Sequence, residues 1–108
     1  MKSLNTMKFV TNMTEELASY KAEIKAAETY ESAKYGALKM LGYINCSITF
    51  LNTMICRENN DFTEAFDEVI EGWQRSLYQC LVDKSIETQQ PASVTEALCR
   101  KRDEFYIL

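Results

Sequence analysis

Residues Met40 to Cys56, MLGYINCSITFLNTMIC, carry no charged side chain, and Lys39 and Arg57 stand at either end of the run. An ordinary surface helix turns roughly half of its circumference to water and carries charge there, so this segment needs cover on most sides. Placed on a helical wheel at about 100° per residue, Ala37, Met40, Leu41, Ile44, Ile48, Leu51 and Ile55 share one narrow arc. Tyr43, Cys46, Phe50 and Met54 form a second arc on the far side, with Asn45, Asn52, Thr49 and Thr53 between. Two apolar arcs require two neighbours. The pattern therefore predicts a helix over 37–56 buried on two faces, the first against the chain itself. The second is covered either by another segment of the chain or by the same helix of a second copy. A transmembrane span is disfavoured, because it needs about 20 predominantly apolar residues and this run holds two Asn, one Ser and two Thr.

Outward from this run, the flanking segments read as helices. Upstream, Leu17, Tyr20, Ile24, Ala27 and Glu31 recur at three-or-four spacing after Thr14-Glu15-Glu16, whose acids suit the positive end of a helix dipole. A helix over 13–35 is expected, preceded by an arm over 1–11 that shows no sustained period. Gly36 and Gly42 each cost about 1 kcal/mol relative to Ala inside a helix. One continuous helix remains open, but a break near Gly36 is favoured. Downstream, Asp61 and Glu64 have capping-box spacing, and Phe62, Phe66, Val69, Ile70, Trp73, Leu77 and Leu81 form an aromatic-rich apolar stripe. That stripe predicts a principal core helix over 61–86, ending before Pro91. Ser93-Val94-Thr95-Glu96 is a second capping box, opening a short helix over 94–105 that turns Ala97, Leu98 and Phe105 inward.

Composition agrees with one all-α domain over residues 1–108, a bundle of three long helices and a short fourth. The chain has 108 residues, 46% hydrophobic and 26% charged, with three Gly and one Pro, which suits a helical core and not a many-stranded sheet. Twelve basic against 16 acidic residues give a net charge of −4, which repels phosphate backbones and disfavours direct nucleic-acid binding. The N-terminus lacks the continuous apolar stretch of a secretory signal, so a cytoplasmic location is expected. Cys46, Cys56, Cys80 and Cys99 form no CxxC pair and there is no His, so the four thiols read as reduced packing residues rather than metal ligands.

No motif names an activity. Without His, triads, dyads and di-iron ligand sets are absent, and no Gly-rich phosphate loop occurs. No cofactor, metal or catalytic residue is assigned, and the expected role is non-enzymatic: a protein-protein interaction module such as a small bacterial or phage regulator, inhibitor, adaptor or chaperone-like protein. It is expected to act as a homodimer through Tyr43, Cys46, Phe50 and Met54. A second reading rests on Glu58, Asp61, Glu64, Asp67, Glu68 and Glu71, six acids with no base after Arg57. Such a strip imitates the charge of a nucleic-acid backbone and fits a basic groove on another protein, although a solvated face accounts for it more simply. A third reading is a membrane-associated module. Arg100, Lys101 and Arg102 complement the negative end of the last helix, and Tyr106-Ile107-Leu108 reads as a tail folded back on the core.

Overall fold

The computed structural model describes residues 4–54 and 60–105, with side chains described at 8, 11–50 and 68–105. Four helices follow one another, α1 (Leu4–Ala26), α2 (Tyr30–Met54), α3 (Asn60–Glu87) and α4 (Ala92–Asp103), with no strand among the described residues. The all-α bundle of three long helices and a short fourth is therefore what the chain forms. The boundaries differ from the sequence reading at three places.

The first difference is that no arm precedes the bundle over 4–11. Thr14-Glu15-Glu16 lies inside α1, which extends back to Leu4. Extending a helix that already exists adds a hydrogen bond per residue ordered, and Met13, one turn before Leu17, is fully buried like Leu17 and Ile24. The second is that the break falls at 27–29 and not near Gly36. Thr29 Oγ1 accepts the Ser32 N–H at 3.1 Å, the bond of a helix N-cap, and this starts α2. Gly36 instead lies where α1 and α2 cross, and a Cβ there would stand 3.3 Å from Ile24 Cγ1. The glycine permits close approach rather than a turn.

The α1–α2 hairpin is antiparallel, with Ile24 against Gly36, Glu23 bonded to Lys39 at 2.5 Å and the Tyr20 and Tyr43 rings 5.8 Å apart. Helix α3 closes the bundle by returning parallel to α1. Its Ile70, Leu77 and Leu81 join Met13, Leu17, Ile24, Ala33, Ala37, Met40 and Ile44 in one core. Trp73 and Ile48 are half-buried at its edge, and Val69 is 40% exposed. Phe62 and Phe66 lie outside the residues whose side chains are described. Lys84, only 3% exposed, fixes the register of α3 on the hairpin. Its ammonium donates to the carbonyls of Lys25 at 3.0 Å and Ala27 at 2.7 Å, and Glu87 lies 2.9 Å away. A cation thus sits on the negative end of the α1 dipole and satisfies carbonyls that the end of the helix leaves unpaired.

Helix α3 ends in a Schellman motif. The Gln90 N–H bonds the Ser85 carbonyl and the Gln89 N–H that of Ile86, with Gln89 in the left-handed region at φ 57. The third difference follows at α4, which begins at Ala92 behind Pro91 and has no side-chain cap. The Ser93–Glu96 capping box does not form, because the Pro91 carbonyl already receives the Val94 and Thr95 N–H groups. The Thr95 hydroxyl turns to Ser85 at 2.7 Å instead. Consequently Val94 and Leu98 face α3, while Ala97 is exposed. Helix α4 packs on α3 alone among the described residues, held at its far end by Arg102 donating to Gln79 at 3.0 Å, Arg75 donating to the Arg102 carbonyl and Phe105 stacked on Tyr78. The Arg102 guanidinium, and beyond it Arg75, holds the Asp103 carboxyl below its ordinary pKa.

Two results are expected in thermal or urea melts. Lys84→Met should cost about 1–3 kcal/mol by leaving buried carbonyls unpaired, and Glu87→Gln, which removes the charge partner of the buried ammonium, should also lower the melting temperature. Gly42→Ala, where an added Cβ meets nothing within 4 Å, should stabilise by about 0.5–1 kcal/mol. Gly36→Ala should yield clearly less, because Ile24 must give way.

Candidate functional site

Both α1 and α3 pack on the same side of α2, and this leaves the opposite side of the helix open. Met40 and Ile44 of the first arc are fully buried, and Ile48 and Leu41 are half-buried. The second arc is only partly covered: Tyr43 is half-buried with its ring tilted on Tyr20, but Cys46 is exposed and Phe50 is 43% exposed. Met54 lies beyond the side chains described. Burial on two faces is thus met along one edge, at Tyr43, and not on the outer side. Leu38, 63% exposed, and Gly42 continue that open side toward the hairpin turn. Asn45, Cys46, Thr49 and Phe50 line a shallow depression of about 380 Å³ in it.

From Leu38 to Phe50 this outer surface contains one charge, Lys39, and that ammonium is occupied by Glu23. Bonding to Glu23 raises the Lys39 pKa further above its ordinary value, and the Tyr35 ring lies 5.4 Å from the ammonium. The remaining positions on this side, Leu38, Gly42, Asn45, Cys46, Thr49 and Phe50, mix apolar and uncharged polar side chains. Leu38 was not assigned to it from the sequence, since its wheel position falls between the two arcs. Its exposure follows from where the neighbours sit.

The acidic strip is described in part. Glu68 and Glu71 are exposed and form no ion pair among the described residues, while the side chains of Glu58, Asp61, Glu64 and Asp67 lie outside those described. Among the described residues the tyrosines do not gather into a patch. Tyr20 and Tyr43 pair across the hairpin, Tyr30 is buried at the turn, and Tyr35 is 67% exposed on α2. Part of the basic cluster is used internally, Arg102 against Gln79 and Asp103 and Lys101 against Glu104. Of the thiols, Cys46 is exposed, Cys99 half-buried and Cys80 buried, none in a disulfide. Cys56 and Tyr106 to Leu108 lie outside the described residues. Burial pushes the Cys80 thiol pKa up, against the opposing pull of Lys21 and Lys25. No cluster of three or more His, Cys, Asp or Glu suited to a metal occurs among the described residues. Nor is any helix there long and apolar enough to cross a membrane.

No family model, curated protein or solved structure matches the chain. Its chemistry must therefore be read from its own surfaces.

Thiol reactivity reports that geometry directly. In native protein at neutral pH, an alkylating reagent with peptide mapping should label Cys46 before Cys80, since the Cys46 sulfur is exposed and that of Cys80 is buried. Cys46→Ser should remove one equivalent from the fast phase and Cys80→Ser none.

Proposed function

We propose that this chain is a non-enzymatic interaction protein that works as a homodimer, joined through the outer side of α2. The observation that carries this reading is the exposed surface of Leu38, Gly42, Asn45 and Cys46 on α2, whose one neighbouring charge, Lys39, is paired with Glu23, on a chain of net charge −4. Two copies of an acidic protein repel each other unless they meet where neither carries charge. An exposed apolar strip of this kind marks a contact surface more often than an idle one.

A twofold contact uses the same strip on both copies. In this reading the strip comprises Leu38, Gly42, Cys46 and Phe50. Tyr43 sits at its edge and supports the hairpin. In such an assembly the dimer presents two copies of every other surface to a partner.

A second reading is supported by Glu68 and Glu71, which are exposed on α3 and form no ion pair among the described residues. Here the acidic strip occupies the basic groove of a nucleic-acid-binding protein. Its binding should weaken steeply with salt, whereas an apolar contact between copies should not.

Light scattering at tens of micromolar should return twice the chain mass of 12.5 kDa, and Leu38→Asp or Phe50→Asp should return a folded monomer. Ile44→Asp, at a fully buried position, should unfold the chain instead. A monomeric parent protein would sink the dimer reading. For the acidic strip, replacing Glu64, Glu68 and Glu71 by Gln should leave the melting temperature nearly unchanged and abolish capture of a basic partner protein.

A further inference from the structure

Helix α4 adds a layer to the bundle without entering its core. The buried cluster is built from α1, α2 and α3 alone, and no residue of α4 is buried. Among the described residues α4 packs only on α3, and its Val94 and Leu98 lie against the core but stay half-buried. Beneath it, Tyr78, Val82 and Ser85 recur at four and three residues along one face of α3. Val82 and Ser85 are buried, yet Val82 lies outside the cluster formed by the three long helices, and the Ser85 hydroxyl meets that of Thr95 at 2.7 Å. The cover of that face is therefore α4.

The fastenings of α4 are partly solvated. At its far end Arg102 donates to Gln79 at 3.0 Å, Arg75 donates to the Arg102 carbonyl at 3.3 Å, and Phe105 stacks on Tyr78 with ring centroids 5.7 Å apart. All five side chains are half-buried, so water can replace these hydrogen bonds on release at small net cost. The connection to α3 runs through Gln89, which holds a left-handed backbone at φ 57 without being a glycine. A helix of 12 residues is marginal by itself in water, so α4 parted from α3 loses its helix and gains chain entropy. The rest of the bundle keeps its register without α4, because Lys84 finds its carbonyls on α1 and the turn that follows it.

We propose that α4 is a displaceable strap. It releases from α3 as one unit while α1, α2 and α3 stay folded, and so alternately covers and bares the face of Tyr78, Val82 and Ser85. A segment that contributes few buried apolar groups opens at lower free energy than the whole domain, and α4 is the one helix here without a buried residue. In the closed form the strap is itself the occupant of that face. In the open form the face is bare, and Arg100, Lys101 and Arg102 leave the bundle with the strap. The device does not depend on dimerisation through α2.

Amide hydrogen exchange of the full chain, read residue by residue over a urea series below the melt, tests the strap. Amides 96–103 should share one protection factor, at least about tenfold lower than those of Leu17 and Ile44, and it should fall with urea at a shallower slope because less surface is exposed. Arg102→Ala with Phe105→Ala should lower protection across 96–103 by about tenfold and leave Leu17 and Ile44 unchanged. Val82→Cys should be alkylated with the opening constant of the α4 amides, well ahead of Cys80. The proposal is overturned if α4 and the core share one protection factor and one slope, since the four helices then unfold together. It is also overturned if protection climbs stepwise from Asp103 to Glu96, the pattern of a fraying end, or if amides 96–103 exchange at the unprotected rate. A double variant that speeds Leu17 and Ile44 as much as α4 overturns it as well.

Discussion

The bundle depends on a single buried cation. Lys84 leaves α3 three residues before its end and places its ammonium on the Lys25 and Ala27 carbonyls where α1 stops. Three conditions meet there. The carbonyls have no partners within their own helix, the α1 dipole is negative at that end, and Glu87 supplies the compensating charge from the surface. A buried ammonium without these partners is strongly disfavoured, so α3 is held to the one register that provides them. Once that register is set, Leu77 and Leu81 fall opposite the α1–α2 hairpin, and Val82 and Ser85 are left on the side that receives α4.

This arrangement makes α3 a shared wall and leaves α2 at one side of the molecule. The α1–α2 hairpin takes the Leu77 side of α3, and α4 takes the opposite side through Ser85, Gln79 and Tyr78. No described segment crosses to the far side of α2. The most apolar of the four helices therefore has an open flank. It is a consequence of an arrangement in which the last helix covers only the third. A helix is exposed or covered according to which face its neighbours occupy, and short connections at 27–29 and 88–91 leave few choices.

Much of the fold was legible in the chain itself, though unevenly. Periodicity identified four helices, and it identified Leu17, Ile24, Met40, Ile44, Ile70, Leu77 and Leu81 as core, because spacing at three or four residues is a direct record of a buried face. It misjudged where the first two helices part. Gly36 reads locally as a weak point, while the actual break at 27–29 is held by Thr29 from within and Lys84 from 57 residues away in sequence. The second capping box failed for a related reason: Ser93 and Glu96 have the right spacing, but Pro91 starts the helix sooner, and the Ser85 hydroxyl engages Thr95. For the candidate surfaces, the uncharged run named the helix and Cys46 and Phe50 within it. Leu38 carried no comparable signal.

By itself, then, the sequence determined the helical class, the number of helices and most of the core, since these follow from patterns within a turn or two of each residue. It also determined that Met40 to Cys56 needs cover that charged helices do not need. Only the tertiary structure decided which side of that helix is covered, where Lys84 finds its carbonyls, and which carboxylates Lys39 and Lys84 meet. Those outcomes depend on the relative placement of helices distant in the chain, and a side chain's exposure is a property of what is packed beside it rather than of its own position on a wheel.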